Sequence, residues 1–205
     1  VNWASHVDLN TGRPVLTDVL ERAMKGETVE VFPARGTNAS LIAFNPKTGL
    51  VYVNAWESSR IMKYTKVDFK LGAGSTGIET SFRTPQNGEP WGYHMAFEPV
   101  TGKVIWKTPV RDTYISAGML ATDGGLLFTG RLNGDFIALD QSNGKELWKF
   151  KTGSGINAPA ITYTVKGKQY VTIMSGTGGV LNRVMKVADV ANTGGSVWTF
   201  ALMKD

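Results

Sequence analysis

Chemistry in a polypeptide needs nucleophiles, proton carriers, metal ligands or flat surfaces for stacking, and this chain is sparing with the first three. It contains no cysteine, which excludes disulfides, thiolate metal sites and cysteine nucleophiles within it. Its two histidines, His6 and His94, read as satisfied or solvated side chains rather than as metal ligands or bases. Lys and Arg number 22 against 17 Asp and Glu, a net charge of +5. The basic residues are scattered and form no run or stripe, so nucleic acid is not an expected partner. What recurs instead is tryptophan at matched offsets. Ala96-Phe97-Glu98-Pro99-Val100-Thr101-Gly102-Lys103-Val104-Ile105-Trp106 parallels Ala138-Leu139-Asp140-Gln141-Ser142-Asn143-Gly144-Lys145-Glu146-Leu147-Trp148, with Ala, Gly, Lys and Trp at the same places 42 residues apart.

The elements that carry these residues are read as strands. In each copy an acidic residue can bond the backbone of a polar turn, and Gly supplies the positive φ of the hairpin return. A weaker copy starts at Ala43 with Asn45-Pro46-Lys47-Thr48-Gly49, and a partial one lies at Asp8-Leu9-Asn10-Thr11-Gly12. A period near 40 residues with several strands per unit suits propeller blades. The interval from Ala43 to Ala96 is longer, at 53 residues, and the stretch 57–93 is read as a long loop on one propeller face. Strands are expected at 50–53, 125–129, 135–140, 146–150, 160–165, 169–174 and 196–202, with a hairpin at Lys166-Gly167-Lys168. One short helix is expected at 17–25, with Thr17 as N-cap. With 24 glycines and 42% hydrophobic residues, the composition agrees with a turn-rich all-β protein. No stretch has the roughly 18–20 apolar residues of a spanning helix, so the chain is expected not to span a membrane. Val1-Asn2-Trp3-Ala4-Ser5-His6 does not read as a signal peptide, and the missing initiator methionine is compatible with tag removal, processing or a fragment, the content of the segment favouring a fragment.

The residues resemble a known family. Ala-x-Asp-x-x-x-Gly-Lys-x-x-Trp is similar to the tryptophan-docking motif of pyrroloquinoline quinone-dependent alcohol dehydrogenases. Asn2-Trp3-Ala4 with Thr11-Gly12-Arg13-Pro14, the stretch 38–46, Gly118 to Gly125 with Phe128, the stretch 150–156, and Gly167 to Gly179 resemble further blocks of that family in the same order. The resemblance implies an eight-bladed β-propeller of which this chain supplies roughly the last three to four blades, 1–205 being the C-terminal part of one propeller domain. It makes Trp106 and Trp148 structural, docked between blades. It maps cofactor contacts onto Asn38, Ala39, Ser116, Gly178, Gly179 and Val180. Asn38 would reach the cofactor's edge. Ala39 stands where the family has Trp, and Ser40 where it has a second Asn. Ser116 stands where methanol-oxidising members carry a large aromatic residue. At Gly178-Gly179 the backbone would come close to the ring, which a Cβ would forbid.

The implied function is oxidation of alcohols at pyrroloquinoline quinone in the periplasm, with electrons leaving to a c-type cytochrome. The implied metal is calcium or a lanthanide, bound mainly by residues outside this chain. The metal ligands, the catalytic Asp, the basic residue that polarises the quinone carbonyl and the vicinal disulfide have no counterpart here. The chain alone is therefore expected to be inactive and to need the N-terminal remainder of the propeller as its partner. Two other readings stay open. One is a non-enzymatic propeller scaffold resembling outer-membrane assembly lipoproteins; the other is an independently folding lectin-like β domain.

Overall fold

The computed structural model describes residues 1–34, 36–37, 40–67, 71–72, 77–83, 85–112, 117–176, 190–191 and 193–202. From the N-terminus come β1 (Ala4–Asp8), β2 (Arg13–Leu16), α1 (Asp18–Met24), β3 (Val29–Val31), β4 (Ala43–Asn45), β5 (Leu50–Trp56), β6 (Arg60–Tyr64) and β7 (Ile78–Phe82). There follow β8 (Gly92–Phe97), β9 (Val104–Val110), β10 (Leu120–Ala121), β11 (Leu126–Gly130), β12 (Asp135–Asp140), β13 (Glu146–Lys151), β14 (Ile161–Val165), β15 (Lys168–Ser175) and β16 (Ser196–Phe200). The chain divides into two compact units, residues 1–36 with 57–87 and residues 37–56 with 88–205.

The first unit holds the β1–β2 hairpin, α1 and a sheet in the order β3-β6-β7. Two expectations are corrected here. The stretch 57–93, expected as a loop, carries β6 and β7 and the start of β8. Arg60-Ile61-Met62-Lys63-Tyr64 and Ile78-Glu79-Thr80-Ser81-Phe82 lack the alternation of a half-buried strand, and β7 is almost wholly exposed. Ladder hydrogen bonds to a neighbour decide their conformation, and composition hides that. Thr17 is the N-cap residue of α1, in extended conformation, but its side chain makes no capping hydrogen bond. Its hydroxyl donates instead to Asn2 O at 2.7 Å.

The second unit contains two four-stranded sheets, β4-β5-β8-β9 and β10-β11-β12-β13, and a three-stranded sheet, β14-β15-β16, all antiparallel. The two strong copies of the repeat are the same structure twice. Ala96 pairs with Trp106 and Ala138 with Trp148, and each pairing is followed by a register shift, between Ala96 and Phe97 and between Ala138 and Leu139. The weaker copies share only the turn. Asn45-Pro46-Lys47-Thr48-Gly49 joins β4 to β5, so Ala43 lies in the same sheet as Ala96, and the 53-residue interval is not a blade period. The turn itself recurs four times, with the Gly N–H donating to the carbonyl of Asp8, Asn45, Glu98 or Asp140 at 2.7–2.9 Å. The three carboxylates, held well below their usual range by N–H and O–H donors of their own turns, stay charged there.

Between the two four-stranded sheets lies a core of Tyr52, Ala96, Trp106, Met119, Leu127, Ile137 and Leu139. Register puts Ala43, Tyr52, Ala96 and Trp106 in one row across the first sheet. A second core of Ala117, Phe136, Ile156, Ala160, Val171 and Ile173 joins the second four-stranded sheet to β15, with Phe128, Trp198 and Phe200 packed on it.

Candidate functional site

Trp106 and Trp148 have matching positions in their sheets but different surroundings. The Trp106 ring is buried, and its Nε1–H donates to Gln141 O in the turn of the next sheet at 2.8 Å. A Cβ added to Gly144 would lie 2.5 Å from the ring. The residue there must therefore be Gly both for this contact and for its φ of 72°. Trp148 is 39% exposed. It meets Phe136 and Phe200 edge-on, with centroids at 5.9 and 5.2 Å, and stacks on Phe150. Both rings are engaged by protein, and the burial expected of both holds only for Trp106.

A polar network lies between the first two sheets of this unit. Leu50–Trp56 is an apolar run with one amide inside it, and Asn54 on β5 faces His94 on β8 in direct register. Asn54 Nδ2 donates to Ala117 O at 2.7 Å and to Thr129 Oγ1 at 2.8 Å. Thr129 Oγ1 donates onward to Gly118 O at 3.1 Å. With its amide hydrogens committed, Asn54 offers Oδ1 to His94 Nδ1 at 2.6 Å, so Nδ1 carries the proton. His94 Nε2 is then the acceptor for Arg131, whose Nε and Nη2 lie at 3.4 Å, and Arg131 Nη2 pairs with Glu146 at 3.2 Å. His94 is wholly buried. Burial, and secondarily the Arg131 charge, push its pKa down to about 3. It is neutral near pH 7 and serves as a fixed hydrogen-bond bridge, not as a proton carrier.

A second knot closes the β13–β15 side. Ser175 Oγ lies 2.8 Å from Ser154 O and shares a hydrogen bond of 2.7 Å with Thr152 Oγ1. Gly176 N donates to Gly155 O at 2.8 Å, and Ile156 N to Arg131 O at 3.0 Å. On the other side Met119 N donates to Leu41 O at 2.9 Å. The backbone there is so close that a Cβ on Gly118 would lie 2.9 Å from the Cβ atoms of both Leu41 and Pro159. Residues 41, 117–119, 155–156 and 176 are thereby tied in one continuous set of contacts. Among the described residues no group of three or more His, Asp or Glu side chains gathers as a metal site.

The family described as glucose/ethanol/alcohol dehydrogenase, beta-propeller domain, which is the pyrroloquinoline quinone family, matches residues 24–171. The chain belongs to this quinoprotein dehydrogenase family. It is 38% identical over 217 residues to a quinoprotein ethanol dehydrogenase of Pseudomonas putida, covering 98% of this chain and 34% of that protein. It is 35% identical over 225 residues to 1-butanol dehydrogenase (quinone) of Thauera butanivorans, covering 100% and 34%. Among solved structures a europium-containing methanol dehydrogenase matches with a TM-score of 0.80 at 26% identity, covering 98% of this chain and 40% of that one. The quinohemoprotein alcohol dehydrogenase from Comamonas testosteroni matches with the same TM-score of 0.80 at 28% identity, covering 98% and 31%. The chain thus spans about a third of the length of the curated relatives it matches.

Six positions mapped from the family pattern, Asn38, Ala39, Ser116, Gly178, Gly179 and Val180, lie outside the described residues. Each lies within about four residues, along the chain, of an anchor described above: Leu41, Ala117 or Gly176. Sequence reasoning did not single out Asn54, Thr129, Thr152 or Ser175. The available signal was a polar residue inside an apolar strand run, as in Leu-Val-Tyr-Val-Asn-Ala-Trp, which marks a buried group that must find partners.

Proposed function

We propose that this chain is the C-terminal part of a quinoprotein alcohol dehydrogenase propeller and supplies part of the wall of its pyrroloquinoline quinone site. The observation that carries the reading is the tie between the segments leading to Asn38, Ser116 and Gly178. Leu41, Ala117–Met119, Gly155–Ile156 and Gly176 are locked together by backbone bonds and by the Asn54 and Ser175 networks. A flat tricarboxylate needs donors at its edge and close backbone at its faces, and Asn38 and Gly178-Gly179 are residues of those types. When bound, the quinone accepts the electrons of the alcohol, the cofactor carrying the redox chemistry and the protein supplying binding and orientation. This chain's share is positional: Asn38 donates at the cofactor edge, Ala39 and Ser116 leave room beside it, and Gly178, Gly179 and Val180 line its face. Trp106 and Trp148 hold neighbouring sheets together and do not touch it.

The metal, calcium or a lanthanide, and the carboxylate that takes the alcohol proton belong to the N-terminal remainder of the propeller, with which this chain acts. The complete protein works in the periplasm and passes electrons to a c-type cytochrome. No helix among the described residues is long and apolar enough to cross a membrane.

The experiment is quinone titration of the cofactor-free complete propeller, wild type against Asn38→Ala and Asn38→Asp. Removing one hydrogen bond to a charged acceptor costs about 1.5–3 kcal/mol, roughly ten- to a hundredfold in affinity. Asn38→Asp is the weaker binder of the two, since it sets a negative charge beside a tricarboxylate where little water screens it. Equal affinity for all three proteins would mean that Asn38 only shapes its turn.

A further inference from the structure

The buried Asn54–His94–Thr129 network directs its bonds to backbone at one segment. Two of its bonds end on consecutive carbonyls, Ala117 O and Gly118 O, in the segment that follows Ser116. A third backbone bond, from Met119 N to Leu41 O, joins that segment to the one that follows Asn38. Gly118 sits too close to Leu41 and Pro159 to accept a Cβ, so the segment has little room to shift unless the side chains that hold it change. The holding side chains are themselves over-determined. Asn54 is fixed in one amide orientation by two acceptors and by His94, and His94 is fixed in one tautomer by Arg131, which Glu146 pairs.

From this geometry we infer that Asn54 and Thr129, oriented by His94, are positioning residues for the quinone wall. They fix the carbonyls of Ala117 and Gly118 and, through the Met119–Leu41 bond, hold together the two described segments that adjoin the mapped cofactor positions in sequence. The inference rests on the proposed cofactor site and adds residues that do not contact the cofactor. Preorganised contacts of this kind set affinity because loosening the supporting shell loosens the contact itself. The chemistry asked of the network is directional hydrogen bonding alone; no proton moves through it.

The test measures quinone affinity of the folded, cofactor-free complete propeller by titration, beside its melting temperature. Thr129→Val removes the hydroxyl at almost constant volume and is the informative variant, because Asn54→Ala risks failing to fold. Thr129→Val is expected to raise the quinone Kd about tenfold, the equivalent of one lost hydrogen bond in the complex. Thr129→Ser, which restores the hydroxyl, is expected to return the Kd to within about twofold of wild type. Ile137→Val, in the core between the same two sheets, lowers the melting temperature and leaves the Kd unchanged. If Thr129→Val binds quinone as tightly as wild type while Asn38→Asp is weakened, the cofactor site stands and the positioning role is overturned. Weakening by Ile137→Val as great as by Thr129→Val would also overturn it, since affinity would then follow stability alone. If wild type binds no quinone, the site reading fails and the positioning role falls with it.

Discussion

At the scale of single residues, the buried polar groups decide more than the surface ones. His94 is neutral when folded and holds its pKa at about 3, whereas an unfolded histidine titrates near 6.5. The unfolded chain therefore binds the extra proton between these values and the folded one does not. Stability from this group is complete above pH 6.5 and is lost as the pH falls toward 3, by about 1.4 kcal/mol per unit while only the unfolded state is protonated. Denaturant melts of the complete propeller between pH 6.5 and 4.5 should show that slope, and His94→Gln, which keeps polar partners without titrating, should flatten it. An unchanged slope would mean that other groups carry the acid sensitivity. The two tryptophans differ in the same currency. Trp106→Ala removes a buried, hydrogen-bonded ring and should cost about 3–5 kcal/mol. Trp148, which is 39% exposed, should cost less on substitution by Ala, about 1.5–3 kcal/mol. Quinone affinity of the folded variants should be unchanged in both; its loss without a loss of stability would make either one a cofactor residue.

At the scale of elements, the repeated turn offers a paired experiment. Gly102 and Gly144 share a φ of 72°, but only Gly144 lies under the Trp106 ring. Gly102→Ala should cost about 1–2 kcal/mol, the strain of a left-handed residue with a side chain. Gly144→Ala should cost clearly more, because its Cβ also displaces the ring; thermal melts giving equal losses would deny that docking contact a role in stability. The turn was legible in the sequence because its chemistry is local: an acidic or amide residue, polar residues and Gly at fixed offsets. So were β12 (Asp135–Asp140) and the hairpin read at Lys166-Gly167-Lys168, whose last residue already pairs with Val165. β6 and β7 were not legible, since their pairing with β3 is long-range and their side chains are mostly exposed. Nor was the difference between the Ala43 and Ala96 copies, which is one of sheet position and leaves the local motif intact. For the candidate site, family pattern mapped cofactor contacts onto Asn38, Ala39, Ser116, Gly178, Gly179 and Val180, which lie outside the described residues. It could not reveal Asn54 or Thr129, whose roles arise from contacts 63 and 11 residues away in sequence.

At the scale of the whole molecule, the chain covers only about a third of its relatives' length, and its surface carries exposed apolar side chains. Ile161, Tyr163 and Val165 on β14, Met174 on β15 and Val197 on β16 are all exposed, as is Phe44 on β4. Propeller blades bury such faces against their neighbours. Residues 1–205 expressed alone should therefore self-associate and bind a hydrophobic dye in sedimentation and fluorescence measurements; a monodisperse monomer with a cooperative melt would argue for an independent domain. The central claim, that this chain walls a quinone site and is not part of a cofactor-free scaffold, is tested most directly by reconstitution. The cofactor-free complete propeller is titrated with pyrroloquinoline quinone and calcium or a lanthanide, while quinone absorbance, melting temperature and alcohol-dependent dye reduction are followed. The account predicts saturable binding of one quinone per propeller, a melting temperature that rises with quinone concentration, and dye reduction that requires both quinone and alcohol. Absence of quinone binding, with the melting temperature unmoved, would contradict it.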